Sequence, residues 1–270
     1  MQESQPPQIG EVFDATARDH NAAAGRLWDP LGEAYVEWIG PALGAQVLDA
    51  CCGAGASAIP AARAAGAAGR VDAVDVAAGL VELGRRRAAA DQLDQARFHV
   101  ADVTAWSSPQ PYDLILCGYG VFFLPDMDAS ARRLAGLLRP GGRFSVATWA
   151  EGALEDFGAL VLRSVSTERP MEQTDPPARR AGRRINTEAA LGDWAASLGL
   201  GDVRVHRIVH TVALTPDNAW DFVVGTGFRA MLHDLDDQAV ARIRDRLLKT
   251  LATEGPDQLD TTSLVAVGTA

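Results

Sequence analysis

The segment Val47-Leu48-Asp49-Ala50-Cys51-Cys52-Gly53-Ala54-Gly55 constrains this chain more than any other. It reads as a short buried strand that ends near an acidic residue and turns through two glycines into an Ala-rich helix. Glycine permits a tight turn and lets a ligand press against bare backbone. The helix behind it points unpaired N–H groups at that ligand, which suits a carboxylate or phosphate. Strand, glycine turn and helix together specify a nucleotide-cofactor site.

Around this turn, β-branched runs alternate with Ala/Leu/Arg stretches. Strands are expected at 46–49, 71–75, 97–101, 112–117 and 143–148, with helices at 56–65, 79–90 and 129–138. Strands separated by helices imply an α/β fold with a doubly wound, mostly parallel sheet. Leu138-Arg139-Pro140-Gly141-Gly142 reads as a helix stop and a turn into the next strand. Beyond 148 the expected order is a helix at 154–165, a Pro/Arg-rich loop at 170–184, a helix at 187–198 and a strand at 203–214. The capping signal Thr215-Pro216-Asp217 precedes two helical stretches ending near 253, and a last strand spans 262–267. The final strands are expected to extend the sheet at one edge, one of them antiparallel. Within a single domain, 1–40 is an N-terminal helical lid and 41–150 the cofactor-binding core. Residues 151–202 are an insertion with the Arg/Pro-rich loop, and 203–270 are the C-terminal strands with inserted helices.

A chain of 270 residues with formal net charge −10 can bury a sizeable core, and its surface repels nucleic acid and anionic membrane. The arginines carry nearly all the positive charge; Lys249 is the only lysine. The three cysteines, Cys51, Cys52 and Cys117, have no disulfide or zinc spacing, which suits a reducing cytoplasm. Residues 1–10 lack the features of a signal peptide, and no apolar run reaches transmembrane length. A cytoplasmic protein with a small-molecule partner is expected, and a homodimer is left open.

Gly53-x-Gly55-x-x-Ala58 fits a dinucleotide fingerprint, with Asp75 placed as a ribose-binding acid. Three further features favour S-adenosylmethionine over NAD. Asp49, just before the glycines, would repel a pyrophosphate but can hold an ammonium, directly or through water. Asp102, in Ala101-Asp102-Val103, can accept the exocyclic amine of adenine while the next backbone N–H serves a ring nitrogen. Pro140-Gly141-Gly142 leads into the fifth strand.

On these residues the chain resembles the class I S-adenosylmethionine-dependent methyltransferases. Residues 47–55 correspond to that family's first motif, in a form similar to the quinone-biosynthesis members, with Cys51 where many relatives carry Gly or Ala. Residues 71–75 match its second motif, 101–103 its adenine site, and 112–126 and 137–149 its fourth and fifth strand motifs. The resemblance covers 40–150. It implies a Rossmann-like seven-stranded sheet and release of S-adenosylhomocysteine. It also implies a cofactor site of Asp49, Cys51, Gly53, Gly55, Asp75, Val76, Asp102, Val103, Cys117 and Gly118.

The acceptor half carries no comparable signature. Ligands of such sheets bind beyond the carboxyl ends of the strands, so Tyr119, Phe122 and Phe123 are expected to floor the acceptor pocket. Trp28 and Tyr35, in the N-terminal segment, are candidates to line it, with simple packing as the plainer reading. His20 is the candidate base. Asp126 is expected to cap a helix. His206 and His210 would point the same way if they share one strand. His233 beside Asp234, and the cluster Arg179, Arg180, Arg183 and Arg184, remain open between surface and substrate roles. Methyl transfer to O, N or C of a mid-sized hydrophobic secondary metabolite is the expected activity. A cyclisation, elimination or decarboxylation on the same motifs, or cofactor binding without turnover, stands as the alternative.

Overall fold

The computed structural model describes residues 9–17, 19–169 and 176–270; part of the expected 170–184 loop therefore lies outside the described residues. Three helices, α1 (Ile9–Thr16), α2 (His20–Ala24) and α3 (Trp28–Ile39), precede the first strand. An alternating core follows: β1 (Gln46–Ala50), α4 (Ala58–Ala65), β2 (Arg70–Asp75), α5 (Ala78–Ala90), β3 (Ala96–Val100), β4 (Tyr112–Gly118), α6 (Met127–Ala135) and β5 (Leu138–Trp149). The remainder comprises α7 (Glu155–Val165), α8 (Pro177–Arg183), α9 (Glu188–Ser197), β6 (Gly201–Ile208), β7 (Thr211–Ala213), α10 (Ala219–Val224), α11 (Asp237–Glu254), β8 (Gln258–Asp260) and β9 (Ser263–Thr269).

Seven strands form one sheet in the order β3-β2-β1-β4-β5-β9-β6. β9 runs antiparallel to both β5 and β6, as the expected reversed strand near one edge, and the other contacts are parallel. The inner strands are apolar on both faces because helices cover both. On one face α3, α4, α5, α7, α10 and α11 enclose Val47, Val71, Ala73, Leu114 and Leu116; on the other α6 and α9 enclose Leu48, Val74, Ile115 and Val146. The winding reverses between β1 and β4, which opens a crevice at the carboxyl ends of those strands. Helix ends follow local chemistry: Asp126, Thr187 and Asp236 each accept the backbone N–H three residues on.

Four expectations are corrected. Residues 139–142 do not precede β5; Leu138 already pairs with Tyr112, and the chain bulges before Arg143 joins Leu114, with Gly141 at φ +75°. The strand expected at 203–214 is two strands, because the chain leaves the main sheet after Ile208 and β7 pairs with β8. His206 and His210 therefore do not share a strand face. His206 stacks on Trp38 (5.2 Å, 12°), and His210 Nδ1 lies 2.6 Å from Thr261 Oγ1. The arginine-rich stretch is helical over α8, started by Pro177 at a position where its missing N–H costs nothing.

Candidate active site

The glycine turn is held open from behind. Cys51, Gly53 and Gly55 take φ +60°, +51° and +87°. Asp75, at the end of β2, accepts the Gly53 N–H through Oδ2 and the Ala77 N–H through Oδ1, both at 2.9 Å. Burial raises its pKa, while these backbone bonds oppose the shift. Gly55 is also a packing requirement, since a Cβ there would stand 2.8 Å from Phe98 Cζ. At Gly53 the nearest atom would be Leu80 Cδ1 at 3.9 Å, so that position needs glycine for its backbone angle. Arg87 braces the loop from α5, donating to Ala54 O at 3.1 Å and to Asp29 Oδ1 at 2.6 Å.

Asp49 is fully buried. Its Oδ2 accepts the Ser57 hydroxyl at 2.7 Å, whereas Oδ1 has no partner. Burial lifts the carboxyl to about 7, against the opposing Ser57 bond. An acidic group with one open, desolvated oxygen at a strand end fits a cationic amine. Asp102 is exposed and folds into an Asx turn, its Oδ1 taking the Thr104 N–H (2.8 Å) and hydroxyl (2.7 Å). Val103 is buried beside it, and Val76 is 47% exposed after β2. These positions fit S-adenosylmethionine: Asp49 toward the ammonium, Asp75 toward the ribose diol, and Asp102 toward the adenine amine.

The three thiols are free. The Cys51 thiol sits against Cys117, and this contact, followed by burial, raises its pKa; burial raises that of Cys52. Neither has the electropositive surroundings of a nucleophilic cysteine.

Helix α1 lies across the crevice. Its Gly10 rests on Val76 (3.2 Å from Cγ2 to an ideal Cβ), and Asp14 accepts the Gly79 N–H at 2.5 Å. Its Phe13 meets Phe123 edge-on, with centroids 5.3 Å apart. Val76 follows β2 and Phe123 follows β4, so the helix spans the end of β1 between them.

Beyond β4 and β5 stands an aromatic cluster. Tyr119 takes φ +55° and packs on Trp149 (4.5 Å), and Trp28 reaches both rings at 5.8 and 6.0 Å. The Tyr119 hydroxyl donates to Ser263 Oγ at 2.8 Å and Trp28 Nε1 to Gly225 O at 3.3 Å. Phe122 and Phe123 adjoin, and Gly182 of α8 lies over Phe122. Trp149 is the residue missed in the sequence; an aromatic closing the fifth strand was the available signal.

Tyr35 does not line this cluster. It points into the core between α3 and the sheet, fully buried, because helical periodicity turns it with Leu31 and Val36 toward the strands. His20 is buried, with Nε2 unpartnered. Burial, aided by the Arg87 charge and opposed by Asp29, lowers its pKa to about 4. The imidazole is thus neutral but weakly basic. Asp126 caps α6, and Arg184 holds Asp128 through both carboxylate oxygens at 3.0 and 2.8 Å. His233 Nε2 lies 3.5 Å from Asp234 Oδ1. Among the described residues no cluster suits a metal ion, and no helix is long and apolar enough to cross a membrane.

Residues 47–142 match the family described as a methyltransferase domain. The chain is 31% identical over 261 residues to nocamycin O-methyltransferase of Saccharothrix syringae, covering 91% of this chain and 92% of that protein. It is 33% identical over 139 residues to aklanonic acid methyltransferase DauC of Streptomyces sp. (strain C5), covering 51% of this chain and 63% of the relative. Its fold is shared by the YcgJ protein of Bacillus subtilis, with TM-score 0.58 and 17% identity over 89% of this chain and 98% of that one. Glycine turn, strand-end acids, strand order and relatives agree, and the chain belongs to the class I S-adenosylmethionine-dependent methyltransferases.

Proposed function

We propose that this methyltransferase acts on an oxygen, nitrogen or carbon of a mid-sized, hydrophobic, ring-bearing small molecule of secondary metabolism. The carrying observation is the Trp28–Tyr119–Trp149 cluster, which stands beyond β4 and β5, beside the crevice to which we assign the cofactor. The polar tips of Tyr119 and Trp28 are tethered to protein, so these two rings offer their faces to an apolar partner. The names of the relatives, an aklanonic acid and a nocamycin methyltransferase, support the same class. The net charge of −10 supports a small acceptor over nucleic acid or membrane, and free thiols at the site suit a reducing cytoplasm.

When bound, S-adenosylmethionine supplies an activated methyl group, so the protein needs no covalent nucleophile. Its own residues position and enclose. Asp49, Asp75 and Asp102 fix the cofactor, with Cys51, Gly53, Gly55, Val76, Val103, Cys117 and Gly118 shaping the walls. Trp28, Tyr119, Phe122 and Phe123 orient the acceptor, and α1 excludes water. We keep His20, whose buried Nε2 has no partner, as the candidate to take a proton. With its pKa near 4 it serves acceptors that are themselves acidic, such as enols, phenols and carboxylic acids.

The test is incubation with S-adenosylmethionine and a panel of polycyclic phenols, carboxylic acids, amines and nucleic acids. S-adenosylhomocysteine release, with a ring-bearing product one methyl heavier, is expected. Turnover confined to nucleic acids or to small aliphatic amines would overturn the reading.

A further inference from the structure

Two of the three thiols meet where β1 and β4 end. Asp49 pairs with Leu116 across these parallel strands, and Cys51 and Cys117 follow two positions and one position further on. An offset of one residue across one strand spacing puts their Cα atoms roughly 6 Å apart, inside the range of about 4.4–6.8 Å that a disulfide spans. Strand alternation would send the Cys51 side chain to the face of Asp49. Its φ of +60° breaks the alternation, and the thiol packs with Cys117 on the opposite face. Gly120 backs the pair. A Cβ there would stand 2.9 Å from Cys51 Sγ and 3.5 Å from Cys117 Sγ, so both sulfurs sit against one missing side chain. Cys52 packs on the other face of the sheet, its thiol 3.5 Å from Gly53 O.

We propose that Cys51 and Cys117 form a reversible oxidative switch, a disulfide that closes the cofactor site when a peroxide reaches it. Cys51 is the half-buried member and Cys117 is sealed, so hydrogen peroxide meets Cys51 first. The Cys51 sulfur gives two electrons to the O–O bond and becomes a sulfenic acid, and one water leaves. The Cys117 sulfur then attacks the Cys51 sulfur, and the sulfenic oxygen departs as a second water. Two thiols and one peroxide become one disulfide and two waters, and a thiol reductant reverses the bond by exchange. The contact with Cys117 and burial raise the pKa of Cys51, so the resting thiol is a slow target and proximity drives the second step. A covalent bond brings the sulfurs closer than any packing contact, which draws Cys51 toward β4. The next residues cannot follow: the Cys52 N–H is held by Val74 O at 3.1 Å and the Gly53 N–H by Asp75 at 2.9 Å. The turn therefore distorts where the crevice opens between β1 and β4. The inference rests on the placement of the cofactor at this turn and is independent of the acceptor.

The test treats the reduced full chain with hydrogen peroxide, then combines peptide mapping without reductant and calorimetry with S-adenosylhomocysteine. A single Cys51–Cys117 bridge is expected. Affinity should fall about tenfold or more, as for a lost hydrogen bond to a charged group, and return with dithiothreitol. Cys52→Ala should keep the whole response. Cys51→Ala, which removes the peroxide's target, should bind with the same affinity before and after treatment. Should that variant fail to fold, Cys117→Ala carries the test by showing no bridge. A bridge between Cys51 and Cys52, oxidation without any bridge, or a bridged chain with undiminished affinity would each overturn the proposal. A reduced parent chain that binds no S-adenosylhomocysteine would overturn the placement of the cofactor at the turn, and the switch with it.

Discussion

Asp75 Oδ2 accepts the backbone N–H of Gly53 at 2.9 Å, joining the end of β2 to the glycine turn after β1. The acid proposed to bind ribose is therefore also the brace of the glycine turn. Asp75→Ala removes both roles. Cofactor affinity should fall by about 1.5–3 kcal/mol, the worth of hydrogen bonds to a charged group, and the cofactor-free protein should lose stability too. Calorimetry with S-adenosylhomocysteine and thermal unfolding separate the two losses. Unchanged affinity would take Asp75 out of the site.

If Asp49 holds the cofactor's ammonium as proposed, cofactor binding should depend on pH. Its pKa is raised from 3.8 to about 7 in the cofactor-free fold, so below pH 7 the carboxyl is mostly protonated. An ammonium partner favours the ionised form, and binding then releases a proton. Affinity should rise with pH by up to about tenfold per unit below 7 and level off above it. Stability of the cofactor-free chain has the opposite sign. The folded state holds this proton more tightly than the unfolded chain, so the Asp49 contribution is fully present below about pH 4 and is lost as pH rises toward 7. Asp49→Asn should flatten both curves. A persistent slope would assign the proton to another group.

Cys51 and Gly120 form a size-matched pair. A Cβ at Gly120 would stand 2.9 Å from the Cys51 Sγ and press on its Cβ, although the backbone at Gly120 (φ −110°) accepts any residue. Gly120→Ala should destabilise by about 1–3 kcal/mol through overpacking. Cys51→Gly removes the obstruction and suits φ +60°, so the double variant should recover most of the loss. Additive unfolding free energies would show that the strain lies elsewhere.

The cofactor half was legible because its chemistry is local. The bends at Gly53 and Gly55 and the acids at the strand ends each lie within a few residues of the strand that carries them, and β–α alternation orders them without further information. The acceptor half is assembled by distant contacts. Tyr119 meets Ser263 across 144 positions and Trp28 meets Gly225 across 197, and no spacing rule links such residues. The break after Ile208 was hidden for a similar reason. The β-forming composition continues through Thr211–Ala213, and only pairing with β8 shows that the strand has changed sheets. Seven-residue spacing left Tyr35 between packing and lining the pocket with Trp28; the structure buries it in the core, while Trp28 at the start of α3 reaches Tyr119.

Trp149 should separate acceptor binding from cofactor binding. It contacts Tyr119 at 4.5 Å and Trp28 at 6.0 Å, and aromatic pairs of this kind contribute about 0.5–1.5 kcal/mol each beyond area burial. It touches none of the three acids assigned to the cofactor. Trp149→Leu keeps an apolar wall while removing both ring contacts, so the acceptor KM should rise about five- to fiftyfold. S-adenosylhomocysteine affinity should stay within about twofold, since no charged contact to the cofactor is lost. If turnover fell while the acceptor KM held, Trp149 would be aligning the reacting atoms rather than gripping the ring. If cofactor affinity fell with it, the aromatic cluster would belong to the wall around the sulfonium instead.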